Sequence, residues 1–82
     1  MKDRQTVKKK KYLEIEYYRK KYLFTQEDFG KLLGVKENTY SHKETGISDF
    51  RTDELVKIHE AINKAAKKAG DPPVTMDMLL GL

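Results

Sequence analysis

The chain contains no cysteine, which excludes a disulfide framework and any metal site built on thiolates. Histidine is nearly as scarce. The only two, His42 and His59, fall on different segments, so no metal-ligand spacing exists. Apolar runs are a few residues long, far short of the ~20 needed to span a bilayer. The first residues are basic but lack the apolar centre of a signal peptide. No strand alternation, internal repeat or glycine-rich phosphate loop is present, and neither histidine has a carboxylate and a nucleophile at motif spacing. These absences lead us to expect a soluble cytoplasmic protein with no enzymatic activity, cofactor, metal or membrane segment. At 82 residues it holds one domain and one modest core.

Charge is plentiful and unevenly placed. The formal net charge is +4. Residues 1–21 carry nine Lys/Arg against three Asp/Glu, a balance of +6, whereas residues 22–82 carry eight against ten, a balance of −2. The basic excess therefore sits at the start, centred on Lys8-Lys9-Lys10-Lys11. A polyanionic partner and a solvated tail explain this equally well. Residues 1–11 are expected to form a flexible arm and residues 12–82 the folded domain.

The remaining sequence is punctuated like a helical protein. A first helix is expected over about Tyr12–Leu23, with Ile15, Tyr18 and Tyr22 inward and Leu13 and Tyr17 on another face. Thr25 is an N-cap and Asp28, three residues on, approximates a capping box for a second helix over Gln26–Leu33. Phe29, Leu32 and Leu33 face inward, and Gly30 permits close approach of another helix. Gly34 ends that helix, and Val35 plugs the turn. A third helix over about Glu37–Thr45 turns Tyr40 inward and stops at Gly46. Asp53 caps a fourth over about Glu54–Ala69, striped by Leu55, Ile58, Ile62, Ala65, Ala66 and Ala69. Gly70 and Pro72-Pro73 end it, and Thr75 caps a short fifth helix, Met76–Leu80. The expected fold is all-α with five helices, and the tight pair over 25–46 resembles a helix-turn-helix.

With those residues in place, the chain resembles the lambda repressor-like family, the Cro/C1-type or xenobiotic response element helix-turn-helix proteins. The match covers roughly Ile15–Ile62, with a weaker echo over Val74–Leu80. It is carried by Arg19, Thr25-Gln26-Glu27, Leu32-Leu33-Gly34-Val35, Thr39-Tyr40-Ser41, Glu44 and Gly46, then Ser48-Asp49-Phe50-Arg51, Leu55 and Ile58. The resemblance implies a compact five-helix DNA-binding domain whose third helix enters the major groove. It also implies a structural ion pair between Arg19 and Glu44. Gln26 would hold a phosphate at the start of the second helix. Lys36, Glu37, Asn38, Ser41 and His42 fall where the family displays base-reading and phosphate-contacting side chains. Departures from the family pattern are Lys43 at a usually apolar position, the acidic Glu37, Thr52 at an often apolar position, and a longer fourth helix.

Chemistry refines these assignments. Asn38 pairs a donor and an acceptor on a short stem, suited to the adenine N6/N7 edge. Glu37 can accept from cytosine N4 or sit favourably at a helix start. His42 lies one turn beyond Asn38 and can donate to a guanine edge or, when protonated, to phosphate. Expected base contacts are therefore Glu37, Asn38, Ser41 and His42. Expected phosphate contacts are Gln26, Lys36, Lys43, Ser48 and Arg51, joined by backbone N–H groups near Gly46. The leading expectation is a sequence-specific transcriptional regulator, a repressor acting as a homodimer on a two-part double-stranded DNA operator. Met76, Met78, Leu79, Leu80 and Leu82 exceed what one short helix buries alone, so Val74–Leu82 is the expected dimer surface. Two rivals remain open. One is an antitoxin or phage adaptor of the same fold whose main partner is a protein. The other is a structural domain that has lost DNA binding.

Overall fold

The computed structural model describes residues 12–82, and the basic arm expected over residues 1–11 lies outside them. Five helices follow in order: α1 (Leu13–Lys21), α2 (Gln26–Leu33), α3 (Glu37–Glu44), α4 (Thr52–Ala69) and α5 (Met76–Leu80). There is no strand among the described residues. The fold is the all-α, five-helix arrangement expected from the sequence.

Local chemistry sets most of these boundaries. α1 carries Glu14 and Glu16 in its first turn and Arg19, Lys20 and Lys21 in its last, matching the helix dipole at both ends. It stops at Lys21, two residues before the expected end, because Leu23 swings to φ 65°. There the Leu23 N–H donates to Lys20 O and the Phe24 N–H to Arg19 O, closing the helix end with a bulky residue where glycine would be unstrained. α2 opens with the reciprocal capping box. Thr25 Oγ1 accepts from the Asp28 N–H (3.0 Å), and Asp28 Oδ2 accepts from the Thr25 N–H (2.8 Å). Those bonds hold the Asp28 carboxyl below its usual range. Gly34 ends α2 at φ 74°.

Two expectations differ in detail. α4 begins at Thr52 with Arg51 as N-cap, not at Glu54 with Asp53 as cap. The cause is Glu54, whose carboxylate reaches back to accept from the Arg51 N–H at 2.9 Å. Gly30 does admit a close neighbour, but that neighbour is the turn itself. A Cβ added there would lie 2.9 Å from the Val35 carbonyl oxygen and 3.4 Å from the Glu37 nitrogen.

The core is a line of rings closed by aliphatics. Phe24, Phe29, Tyr40, Phe50 and Tyr12 follow one another with successive centroid separations of 4.9, 5.8, 5.8 and 4.9 Å. Ile15, Ile58, Ile62 and Leu79 are fully buried around them. Two expected inward residues fare differently. Leu32 is 37% exposed at the edge of the groove between α2 and α4, beside Lys57, Ala61 and Lys64, and Ala69 in the last turn of α4 lies on the surface. Val74 and Leu79, placed on the expected dimer surface, are instead absorbed by the chain's own core as α5 packs on α1. Asn63 makes that docking specific. Its amide accepts from the Val74 N–H (2.7 Å) and donates to the Val74 carbonyl (2.8 Å), clamping the segment before α5 onto α4. His59 Nε2 meets the same carbonyl at 2.8 Å.

Candidate nucleic-acid interface

α3 has little apolar surface with which to hold itself in place. Tyr40 is its one large buried apolar side chain, and it is fully buried. Polar bonds do the rest. Glu44, 3% exposed, accepts from four donors: Arg19 Nε at 2.8 Å, Arg19 Nη2 at 3.0 Å, Tyr40 Oη at 2.7 Å and Gln26 Nε2 at 3.1 Å. The third guanidinium nitrogen of Arg19 donates to the Phe24 carbonyl at 2.9 Å. The structure thus brings Arg19 and Glu44 into a two-pronged, buried pair that joins α1 to the end of α3.

The electrostatics of the cluster follow from its bonds. Burial alone would raise the Glu44 carboxyl, but the bonds from Arg19, Tyr40 and Gln26 outweigh it and hold Glu44 below the usual carboxylate range. Burial and the carboxylate beside it push the Tyr40 phenol up, so Tyr40 remains a donor. Burial also works against the Arg19 charge, yet its bonds to Glu44 more than restore it.

With Tyr40 and Glu44 turned inward, the opposite side of α3 is fixed outward. Lys36, Glu37, Asn38, Thr39 and His42 are exposed, and Ser41 is half-buried at the edge of that face. Asn38 and His42 are one helical turn apart on the same face. Glu37, Asn38 and His42 make no side-chain hydrogen bond among the described residues, so their polar atoms are available to an outside partner. Gln26 stands at the opening of α2, where free backbone N–H groups favour an anion. One of its amide hydrogens goes to Glu44. Ser48 and Arg51 are exposed on the loop between α3 and α4, and Arg51 keeps only a loose ion pair with Asp53, 3.3 Å between two well-exposed side chains.

Two expected contacts are corrected. Lys43 does not project its ammonium outward. Its Nζ lies 3.1 Å from Glu54 Oε1 and donates to the Asp49 carbonyl at 3.2 Å, with the side chain 12% exposed. The expected phosphate contact is thus turned back into the fold, because a carboxylate on α4 lies within reach. Nor are the N–H groups near Gly46 free for phosphate. Gly46 donates to Lys43 O, and both Ile47 and Ser48 donate to His42 O, because the last carbonyls of α3 need these donors. Sequence reasoning also passed over Glu54. Its position three residues after Arg51 is the capping-box spacing that would have marked it.

Among the described residues no group of three His, Cys, Asp or Glu side chains is placed to hold a metal ion. No described helix is long and apolar enough to cross a membrane. No curated protein and no solved structure matches the chain significantly. A helix-turn-helix family model matches residues 15–68, about two thirds of the chain, and covers α1 through nearly all of α4. By that match and by the α2–turn–α3 geometry that presents Asn38 and His42, the chain belongs to the Cro/C1-type, lambda repressor-like family of DNA-binding helix-turn-helix regulators.

Proposed function

We propose that this protein is a sequence-specific transcriptional repressor that binds a two-part operator as a homodimer. The observation that carries this reading is the division of α3 into an inward side fixed by Tyr40 and Glu44 and an outward side whose Glu37, Asn38 and His42 have no described internal partner. In the docked complex α3 lies in the major groove, with Glu37, Asn38, Ser41 and His42 facing base edges. Gln26, Lys36, Ser48 and Arg51 hold phosphates on either side. Glu37 rejects sites that bring a phosphate or an acceptor edge against it. One small reading helix has limited affinity, and a second half-site about one turn (~34 Å) away supplies the rest. Repression follows from occupying DNA that polymerase needs.

The basic segment 1–11 belongs to the same reading. Tyr12, where it joins the described fold, donates its backbone N–H to the Glu44 carbonyl at the end of α3. In this reading the lysines at 8–11 add attraction to the DNA backbone that is independent of sequence.

One observation favours a protein partner as well. Leu13 (57% exposed) and Leu82 (87%) leave apolar surface at a cavity between α1 and α5 that Tyr12, Leu79 and Leu80 also line. We assign this surface to the second subunit. In the alternative reading, an antitoxin or phage adaptor, it holds a toxin or phage protein. DNA selection with the purified protein, followed by gel shift, tests the primary reading. Asn38→Ala is expected to relax sequence preference, and Gln26→Ala to weaken all sequences alike. Specific binding left intact by both substitutions refutes the docking. A stable heterocomplex recovered from the native host, from a protein that selects no DNA sequence, supports the alternative.

A further inference from the structure

We infer that Lys43 and Glu54 form a positioning pair that sets the loop between α3 and α4, and through it the phosphate grip of Ser48 and Arg51, without Lys43 touching DNA. This rests on the DNA-docking reading above and assigns a different role to a residue that charge alone would place against phosphate.

The two side chains are 12% and 9% exposed, with 3.1 Å between Lys43 Nζ and Glu54 Oε1. Each also holds a backbone group of the intervening loop. Lys43 Nζ donates to the Asp49 carbonyl at 3.2 Å, and Glu54 Oε1 accepts from the Arg51 N–H at 2.9 Å. The pair therefore ties the end of α3, two points of the loop and the first turn of α4 into one unit. Phe50 lies between those two points, 8% exposed and packed edge-on against Tyr12, so the loop is pinned at three successive residues. Ser48 lies just before the pinned stretch and Arg51 at its end, and both side chains are exposed.

The arrangement is more than a surface ion pair. Two neighbouring residues of α3 are braced in different directions, Glu44 to Arg19 on α1 and Lys43 to Glu54 on α4. With Tyr40 the one large buried apolar side chain of α3, these two directional bonds fix how far the helix is rotated about its own axis. Glu54 also stands in the first turn of α4, where a carboxylate interacts favourably with the helix dipole.

The test uses the full chain and three variants: Lys43→Met, Glu54→Gln and the double Lys43→Met/Glu54→Met. Glu54→Gln retains an acceptor for the Arg51 N–H and serves if Lys43→Met folds poorly. Amide hydrogen exchange on the free protein is expected to quicken over residues 47–51 in every variant while α1 stays protected. In the double variant, thermal stability recovers but the quickened exchange does not, because the bonds to Asp49 and Arg51 are still missing. On a selected operator, Lys43→Met is expected to weaken specific binding about tenfold, the effect of losing one to two tethering hydrogen bonds. Glu54→Gln, which removes no cation, is also expected to weaken binding, because it too loosens the loop that carries Ser48 and Arg51. Binding weakened in Lys43→Met with a salt slope reduced by about one, while Glu54→Gln binds as the unsubstituted chain does, identifies Lys43 as a phosphate contact and overturns the proposal. Unchanged exchange over 47–51 overturns it too, and that arm needs no DNA. If the unsubstituted chain binds no DNA at low salt, the docking reading fails while the exchange result still judges the pair.

Discussion

Replacing Arg19 with methionine tests the central brace of the fold most directly. The substitution keeps an apolar stem of similar length and removes three bonds: two to the Glu44 carboxylate, at 2.8 and 3.0 Å, and one to the Phe24 carbonyl at 2.9 Å. Glu44, 3% exposed, is left with only Tyr40 and Gln26 as donors and no countercharge. Breaking a buried pair from one side costs about 3–5 kcal/mol. A chain of 82 residues has roughly 4–12 kcal/mol in total, so Arg19→Met is expected to be partly unfolded at 37 °C. Urea unfolding followed by circular dichroism measures this. The double variant Arg19→Met/Glu44→Met removes both charges and is expected to be more stable than Arg19→Met alone. The acid limb adds a second check. Glu44 is held below its ordinary value in the fold, so the unfolded chain binds the proton more readily. Its contribution is complete above the unfolded value of 4.5 and is lost as pH falls through the lower folded value. In Arg19→Met, burial acts on the carboxyl with far less opposition, so acidification no longer destabilises through this group. A cost below about 1 kcal/mol for Arg19→Met, or an unchanged acid limb, would show that the pair is effectively solvated and refute the reasoning.

Three further outcomes are expected. Leu23→Gly relieves the φ of 65° at a residue 87% exposed, so little packing is lost and the melting temperature rises by the equivalent of roughly 1 kcal/mol. A fall in melting temperature instead would mean that Leu23 packs in a way its exposure does not suggest. Gly30→Ala forces a Cβ to 2.9 Å from the Val35 carbonyl, and backbone cannot yield as a flexible side chain does. It is expected to destabilise by about 1–3 kcal/mol and, if the turn shifts to accommodate it, to reduce DNA affinity more than thermal stability alone explains. Asn63→Ala removes both bonds to Val74, leaving its N–H without a described partner while the carbonyl keeps His59, and costs about 1–3 kcal/mol. Hydrogen exchange should then quicken in α5 before α2 or α3, and uniform quickening would argue against a clamp.

What the sequence made legible was local. The box of Thr25 and Asp28, the stop at Gly34 and the cap at Thr75 each depend on residues three or four apart, and the bounds of α2 and α5 came out as expected. The start of α4 was missed by two residues although it too is local, because Asp53 is a better cap by type than Arg51. The backbone bond to Glu54 decided otherwise. The N–H groups near Gly46 were assigned outward although helix-end chemistry alone assigns them to α3. The remaining differences are tertiary. No spacing rule told that Lys43 would find Glu54, that Asn63 would grip Val74, or that Leu79 would be covered by α1. Each joins residues that only the packed helices bring together.

The polarity of α3 and its proposed task are connected. A helix with one large apolar anchor can pivot around it, whereas ion pairs at Glu44 and Lys43, pulling toward α1 and α4, resist rotation in both senses. Small rotations matter at the outer face. A side-chain tip about 6 Å from the helix axis moves by roughly 1 Å for each ~10° of rotation, enough to spoil a two-point contact with a base edge. In the proposed complex, exposed residues such as Asn38 and His42 carry information without carrying stability, since neither makes a described side-chain bond within the fold. Asn38→Gln or His42→Asn is thus expected to change which sequence is selected while leaving the unfolding curve within about 0.5 kcal/mol. The same size of change at Glu44 or Lys43 alters the frame in which every contact is made. Specificity can therefore vary at the outward positions of α3 only because the inward ones are held by directional bonds.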